Sequence, residues 1–160
     1  MSRTIVIGVG NPILTDDGVG WRVARELRSR LADLGNVDVI ELCAGGIAIM
    51  EAIVGYDRAV VVDSMEGGGK PGSVYRVAPD GLEGTRNSSC AHDTTFRAAL
   101  ETGGLLGLAL PGRIEIWGIE PGDVDTFGED LSEAVAHAVP LVVDGVLRTL
   151  APSWNPKESA

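Results

Sequence analysis

No apolar run in this 160-residue chain approaches the roughly 20 residues that a membrane-spanning helix needs, so no membrane span is expected. The opening "MSRTIVIGVGN" also lacks the long apolar stretch and small-residue cleavage site of a secretory signal, which points to the cytoplasm. Cysteine is nearly absent. Cys43 and Cys90 are far apart, which gives neither a disulfide framework nor a paired metal-ligand spacing, and reduced thiols are expected. Cations are also few: 13 Lys and Arg against 23 Asp and Glu leave a net charge of -10. That balance repels a polyanion and argues against nucleic acid as a partner. No internal repeat or low-complexity segment is present.

What remains is an ordinary globular composition, 44% hydrophobic and 22% charged, of a length that buries roughly two thirds of the unfolded surface in one core. Strand and helix signals alternate along it. "TIVIGV" at 4–9, "VDVIEL" at 37–42, "RAVVVDSM" at 58–65, "SVYRVA" at 73–78 and "RIEIWGIE" at 113–120 read as strands. Helical spacing runs over 19–31, 47–55, 94–106 and 130–150, the third capped by Asp93 or Thr94 and the last interrupted or kinked at Pro140. The glycine-rich 66–72 reads as a loop or hairpin connection, which suggests that 73–78 pairs antiparallel at an edge. This order predicts a three-layer α/β/α sandwich with a twisted, mostly parallel sheet of about five strands. One domain is expected over 1–150, with 151–160 as a tail.

Open sheets of this kind hold ligands beyond the carboxyl ends of their strands. Three segments reach such ends: "GVGNPILTDDGVG" at 8–20, the corner at Asp63, and "NSSCAHD" at 87–93. They offer Asp16, Asp17, Asp63 and His92 to one cleft. The glycines resemble a phosphate cradle, but Ile13 stands where a dinucleotide fingerprint needs its third glycine, and Asp16 and Asp17 repel phosphate from the helix start. Two carboxylates and an imidazole suit zinc, nickel or iron and leave coordination positions open. Structural roles are also expected nearby: Asp16 or Asp17 capping the helix that follows, Cys43 as a buried packing thiol, and Trp21 and Trp117 as core aromatics. His137 reads as a surface or packing residue. Glu120, at a strand end, is a further candidate for the cleft, and 120–130 reads as an acidic surface loop.

In series, "IGVGNPILTDDGVG", "VVVDSM" and "SSCAHDTTF" resemble the nickel-iron hydrogenase maturation proteases, over roughly residues 4 to 150. The resemblance implies that Asp17, Asp63 and His92 are the metal-binding residues, with Asp17 and Asp63 catalytic. It implies an endopeptidase, of aspartic type, that removes a C-terminal extension from the hydrogenase large-subunit precursor after nickel insertion, with the nickel as recognition signal. The metal then belongs to the substrate, other divalent ions can occupy the site, and no permanent cofactor is expected. Asn11 and the Gly45 and Gly46 pair, whose bare backbone permits close approach, are read as substrate-binding. A monomer is implied. The chain departs from the family where many members carry Asp-Gly-Gly-Thr: here Ala44, Gly45, Gly46 and Ile47 stand instead. Two mechanisms stay open, water activation at nickel with Asp16 or Asp63 as base, or an aspartic-type pair with nickel positioning the chain. So does a non-cleaving nickel-dependent checkpoint or chaperone.

Overall fold

The computed structural model describes residues 1–79 and 95–151. The chain runs through β1 (Thr4–Val9), one turn of 3-10 helix (Thr15–Gly18), α1 (Val19–Arg30), β2 (Val37–Leu42) and α2 (Gly46–Ile53). It continues through β3 (Arg58–Ser64), β4 (Val74–Val77), α3 (Phe96–Leu105), β5 (Arg113–Ile119) and α4 (Glu133–Leu150). The strands form one sheet in the order β2-β1-β3-β5-β4. β2, β1, β3 and β5 are parallel, and β4 runs antiparallel to β5 at the edge. The predicted α/β architecture is therefore present, with one difference in pairing. Both sides of β3 are taken by β1 and β5, so β4 lies one place further out than its short connection to β3 suggests.

Alternation along the central strands sorts their side chains into two cores. Val6, Val60, Val62, Trp117 and Ile119 face α1 and α4, meeting Val23, Leu27, Val139 and Val142. Ile5, Ile7, Val9, Ala59, Val61 and Ile116 face α2 and α3, meeting Ile49, Ile53, Phe96 and Ala99. Each central strand is buried on both faces, which is why it reads as a continuous apolar run. Two helix ends differ from expectation. α3 is capped by Thr95, whose Oγ1 accepts from the Ala98 amide at 3.2 Å. α4 begins at Glu133 and continues past the exposed Pro140 to Leu150 without a break. Among the described residues no helix is long and apolar enough to cross a membrane.

The sheet's two edge strands are short or partly covered. β4 has four residues, and along β2 the Val39 carbonyl accepts from Arg28 Nη2 of α1 at 3.2 Å. Near the amino ends of β3 and β5, the buried Glu115 accepts from Arg58 and Arg113 through Oε1 and from Arg76 through Oε2. Burial alone would raise the Glu115 pKa, but hydrogen bonds and charge from Arg58 and Arg76 outweigh it and hold the carboxyl below its usual value.

The turn from β1 into α1 is set by glycines at which backbone meets backbone. A Cβ on Gly20 would lie 2.3 Å from the Val9 carbonyl oxygen and 2.5 Å from that of Val62, and one on Gly8 would lie 2.1 Å from the Gly20 oxygen. Gly10 has φ +145°, and its Cβ would lie 1.9 Å from the Asp17 carbonyl oxygen. α1 thus starts directly against the carboxyl ends of β1 and β3.

Two predictions follow from this packing. Gly20→Ala should lose about 3 kcal/mol in urea unfolding because no neighbouring backbone can yield, whereas Gly104→Ala in α3, with nothing within 4 Å, should gain about 0.5–1 kcal/mol. Glu115→Gln should be less stable than the parent near pH 7. A carboxyl with a depressed folded-state pKa contributes stability above its unfolded pKa and loses it as pH falls through the folded value, so the difference between the two proteins should close below about pH 4.

Candidate active site

The contact between β1, α1 and β3 places two adjacent aspartates in different surroundings. Both Asp16 and Asp17 lie in the 3-10 turn and both are buried. Neither caps α1, whose N-cap position is Gly18 and carries no side-chain hydrogen bond. The expected cap is replaced by longer-range partners.

Asp16 is fully enclosed. Its Oδ2 accepts from the amides of Gly122 and Asp123 and the hydroxyl of Ser132, each at 2.8 Å, and its Oδ1 accepts from the Ser132 amide at 2.7 Å. A carboxylate satisfied in this way is a buried anchor, tying the first loop to the segment between β5 and α4. Both of its oxygens are taken by donors that hold the fold together. It also explains the late start of α4, since Ser132 donates to Asp16 with its own backbone extended (ψ 154°).

Asp17 turns the other way, toward β3. Its Oδ2 accepts from the Asn11 amide at 3.0 Å and its Oδ1 from Ser64 Oγ at 2.9 Å. Ser64 is wholly buried and follows Asp63, itself 4% exposed, at the carboxyl end of β3. One hydroxyl therefore links the carboxylate of Asp17 to the strand end that carries Asp63. Asn11 contributes its amide to Asp17, while its side-chain oxygen accepts from the Ile13 amide at 3.2 Å. Ser64 was not among the residues singled out from sequence. The only signal was its place beside Asp63 in "VVVDSM".

His92 and Cys90 lie outside the described residues. Among the described residues, no three His, Cys, Asp or Glu side chains form a group that could hold a metal ion. Gly45 and Gly46 are buried at the start of α2, beyond the carboxyl end of β2. Cys43 is exposed, contrary to the packing role expected of it, because β2 ends at Leu42 and the chain turns outward before α2. Trp117 is core. Trp21 is half-buried, and its Nε1 donates to the Leu42 carbonyl at 3.2 Å.

Glu120 is engaged by the loop that leaves β3. Its Oε2 accepts from the Gly67 amide at 2.6 Å and the Tyr75 hydroxyl at 2.9 Å. Tyr75 in turn accepts from the Gly69 amide, so Glu120 and Tyr75 fix the loop that leaves β3. Burial and the hydrogen bond to Glu120 raise the Tyr75 pKa. The wrap is close: a Cβ on Gly69 would lie 2.2 Å from the Tyr75 oxygen, so a side chain there would displace that hydroxyl.

Asp16→Asn places an NH2 group among donors. Its urea unfolding free energy should fall by about 3 kcal/mol, the magnitude for disrupting a buried, charge-assisted hydrogen-bond set.

A family model described as hydrogenase maturation protease matches residues 21–149. The hydrogenase expression/formation protein HupD of Rhizobium leguminosarum is 26% identical over 156 residues, covering 96% of this chain and 76% of that protein. HupD of Bradyrhizobium diazoefficiens is 28% identical over 157 residues, covering 96% and 80%. The fold is similar to that of the hydrogenase maturating endopeptidase HybD from E. coli, with a TM-score of 0.77 at 20% identity, covering 94% of this chain and 93% of that one. Because the family model spans residues 21–149, most of the sequence, the chain belongs to the hydrogenase maturation protease family.

Proposed function

We propose that this chain is an endopeptidase that removes the C-terminal extension of a nickel-iron hydrogenase large-subunit precursor after nickel insertion, with the precursor's nickel as the recognition signal. The observation that carries the reading is the buried Asp17 carboxylate, held by the Asn11 amide and the Ser64 hydroxyl, together with the buried Asp63 that ends the apolar run of β3 one residue before Ser64. Family membership supplies the reaction class.

In this reading the metal is part of the substrate. Asp17 and Asp63, with His92, receive nickel carried by the precursor, an oxygen and nitrogen donor set suited to it. The chain contributes orientation: Ser64 and the Asn11 amide hold the Asp17 carboxylate in one rotamer, which limits the reorganisation needed when substrate arrives. The scissile carbonyl, placed beside the metal, is polarised or attacked by a water whose pKa the metal lowers. Asp63 is the base that accepts the proton. Asn11, Gly45 and Gly46 contact the precursor backbone, and the chain acts as a monomer with no permanent cofactor.

Intact-mass measurement of a large-subunit precursor, nickel-loaded or nickel-free, tests this. Wild type should release the C-terminal peptide from the loaded precursor only. Asp17→Asn, Asp63→Asn and His92→Ala should each slow release at least about 100-fold, the scale expected when a group acting on the reacting centre is lost. Retained processing in all three variants would refute the site. A nickel-dependent complex that is never cut would favour the checkpoint role instead.

A further inference from the structure

The loop tied to Asp16 presents apolar side chains to water. Residues 11–15 and 126–129 run side by side: the Thr15 amide donates to the Gly128 carbonyl at 2.8 Å and the Gly128 amide to the Ile13 carbonyl at 2.9 Å. Thr15 Oγ1 also donates to the Thr126 carbonyl at 2.6 Å. The Asp123 carboxylate accepts from the amides of Asp125 and Thr126. These bonds fix both strips. Even so, Phe127 is 79% exposed and Ile13 48% exposed, and Ile13 lies in the same loop as Asp17. A fixed loop that leaves a phenylalanine in water is an unused apolar surface.

Charge narrows what can cover it. No lysine or arginine occurs between Arg113 and Arg148, whereas Asp125, Glu129, Asp130 and Glu133 are exposed around Phe127. Glu129 also lines a cavity of about 100 Å3 between this loop and α1, walled by Pro12, Trp21 and Leu131, with Arg22 and Arg25 opposite. Arg25 is already paired with Glu41 and lies over Trp21. Within the described residues, no ion pair joins Glu129, Asp130 or Glu133 to a cation.

We propose that the paired strips around Ile13 and Phe127 are the docking surface for the polypeptide this chain processes, and that they grip a segment carrying an apolar residue next to lysine or arginine. The inference rests on the protease reading above. The apolar residue packs on Phe127 and Ile13, and the cationic one meets Glu129 and Asp130.

The test is steady-state cleavage of nickel-loaded large-subunit precursor by wild type, Phe127→Ser, the double variant Glu129→Gln/Asp130→Asn, and Leu141→Ser as a control for an exposed apolar residue elsewhere on α4. Phe127→Ser should raise KM about tenfold with kcat within about twofold, the size of loss expected for an interface anchor. The double variant should also raise KM and should lose most of the salt dependence of the wild-type KM. Leu141→Ser should match wild type. Unchanged KM in both loop variants, with wild type cutting normally, overturns the docking surface and leaves the protease reading intact. Precursor bound through Phe127 but never cut does the reverse. Self-association abolished by Phe127→Ser with KM unchanged would assign the surface to a second copy of the chain and overturn the proposal.

Discussion

Backbone meets backbone where Gly8, Gly10 and Gly20 bring the first turn of α1 onto the ends of β1 and β3, and the carboxyl end of the sheet depends on that contact. With side chains at those positions the helix would stand further off. Asp17 would then no longer meet the hydroxyl of Ser64, and Asp16 would be withdrawn from the four donors around it. The glycines serve the same steric purpose as in a phosphate-binding turn, but what they position is acidic side chains.

From that contact the two neighbouring aspartates take opposite parts. Asp16 looks inward to the amides and hydroxyl of the β5–α4 segment and is consumed by the fold. Asp17 looks across to β3, where Ser64 donates to it one residue after the buried Asp63. Consecutive residues in a tight turn point in different directions, so a single Asp-Asp step can reach a remote loop with one carboxylate and the end of β3 with the other. Glu120, Tyr75 and the glycine-rich loop do comparable structural work on the far side of Asp63.

The sheet, its parallel core and its antiparallel edge were legible in the sequence because each central strand is an apolar run ended by a turn residue, and each helix keeps its period. The Gly-x-Gly-Asn and Asp-Asp-Gly segments stood out as unusual combinations at a strand-to-helix turn, and that turn does lie at the carboxyl end of β1. Long-range partners were not legible. Nothing near Asp16 in sequence indicates that Ser132 completes its shell, and local capping rules naturally assign it to the nearest helix. Ser64 reads as an ordinary small residue until the fold places Asp17 against it. Cys43 was misread because burial statistics for thiols ignore where a strand stops.

The edges of the sheet bear on how a protein chain can be held. Many proteins that bind extended polypeptides do so by letting them join a sheet as one more strand. Here β4 offers only four residues, and on β2 the guanidinium of Arg28 already occupies the Val39 carbonyl. Both features discourage strand addition. A polypeptide brought to this molecule is thus steered away from main-chain pairing and toward the loops beyond the strand ends, where side chains and not a repeating ladder decide whether it fits. Such a surface can discriminate one chain from the many that share the same backbone.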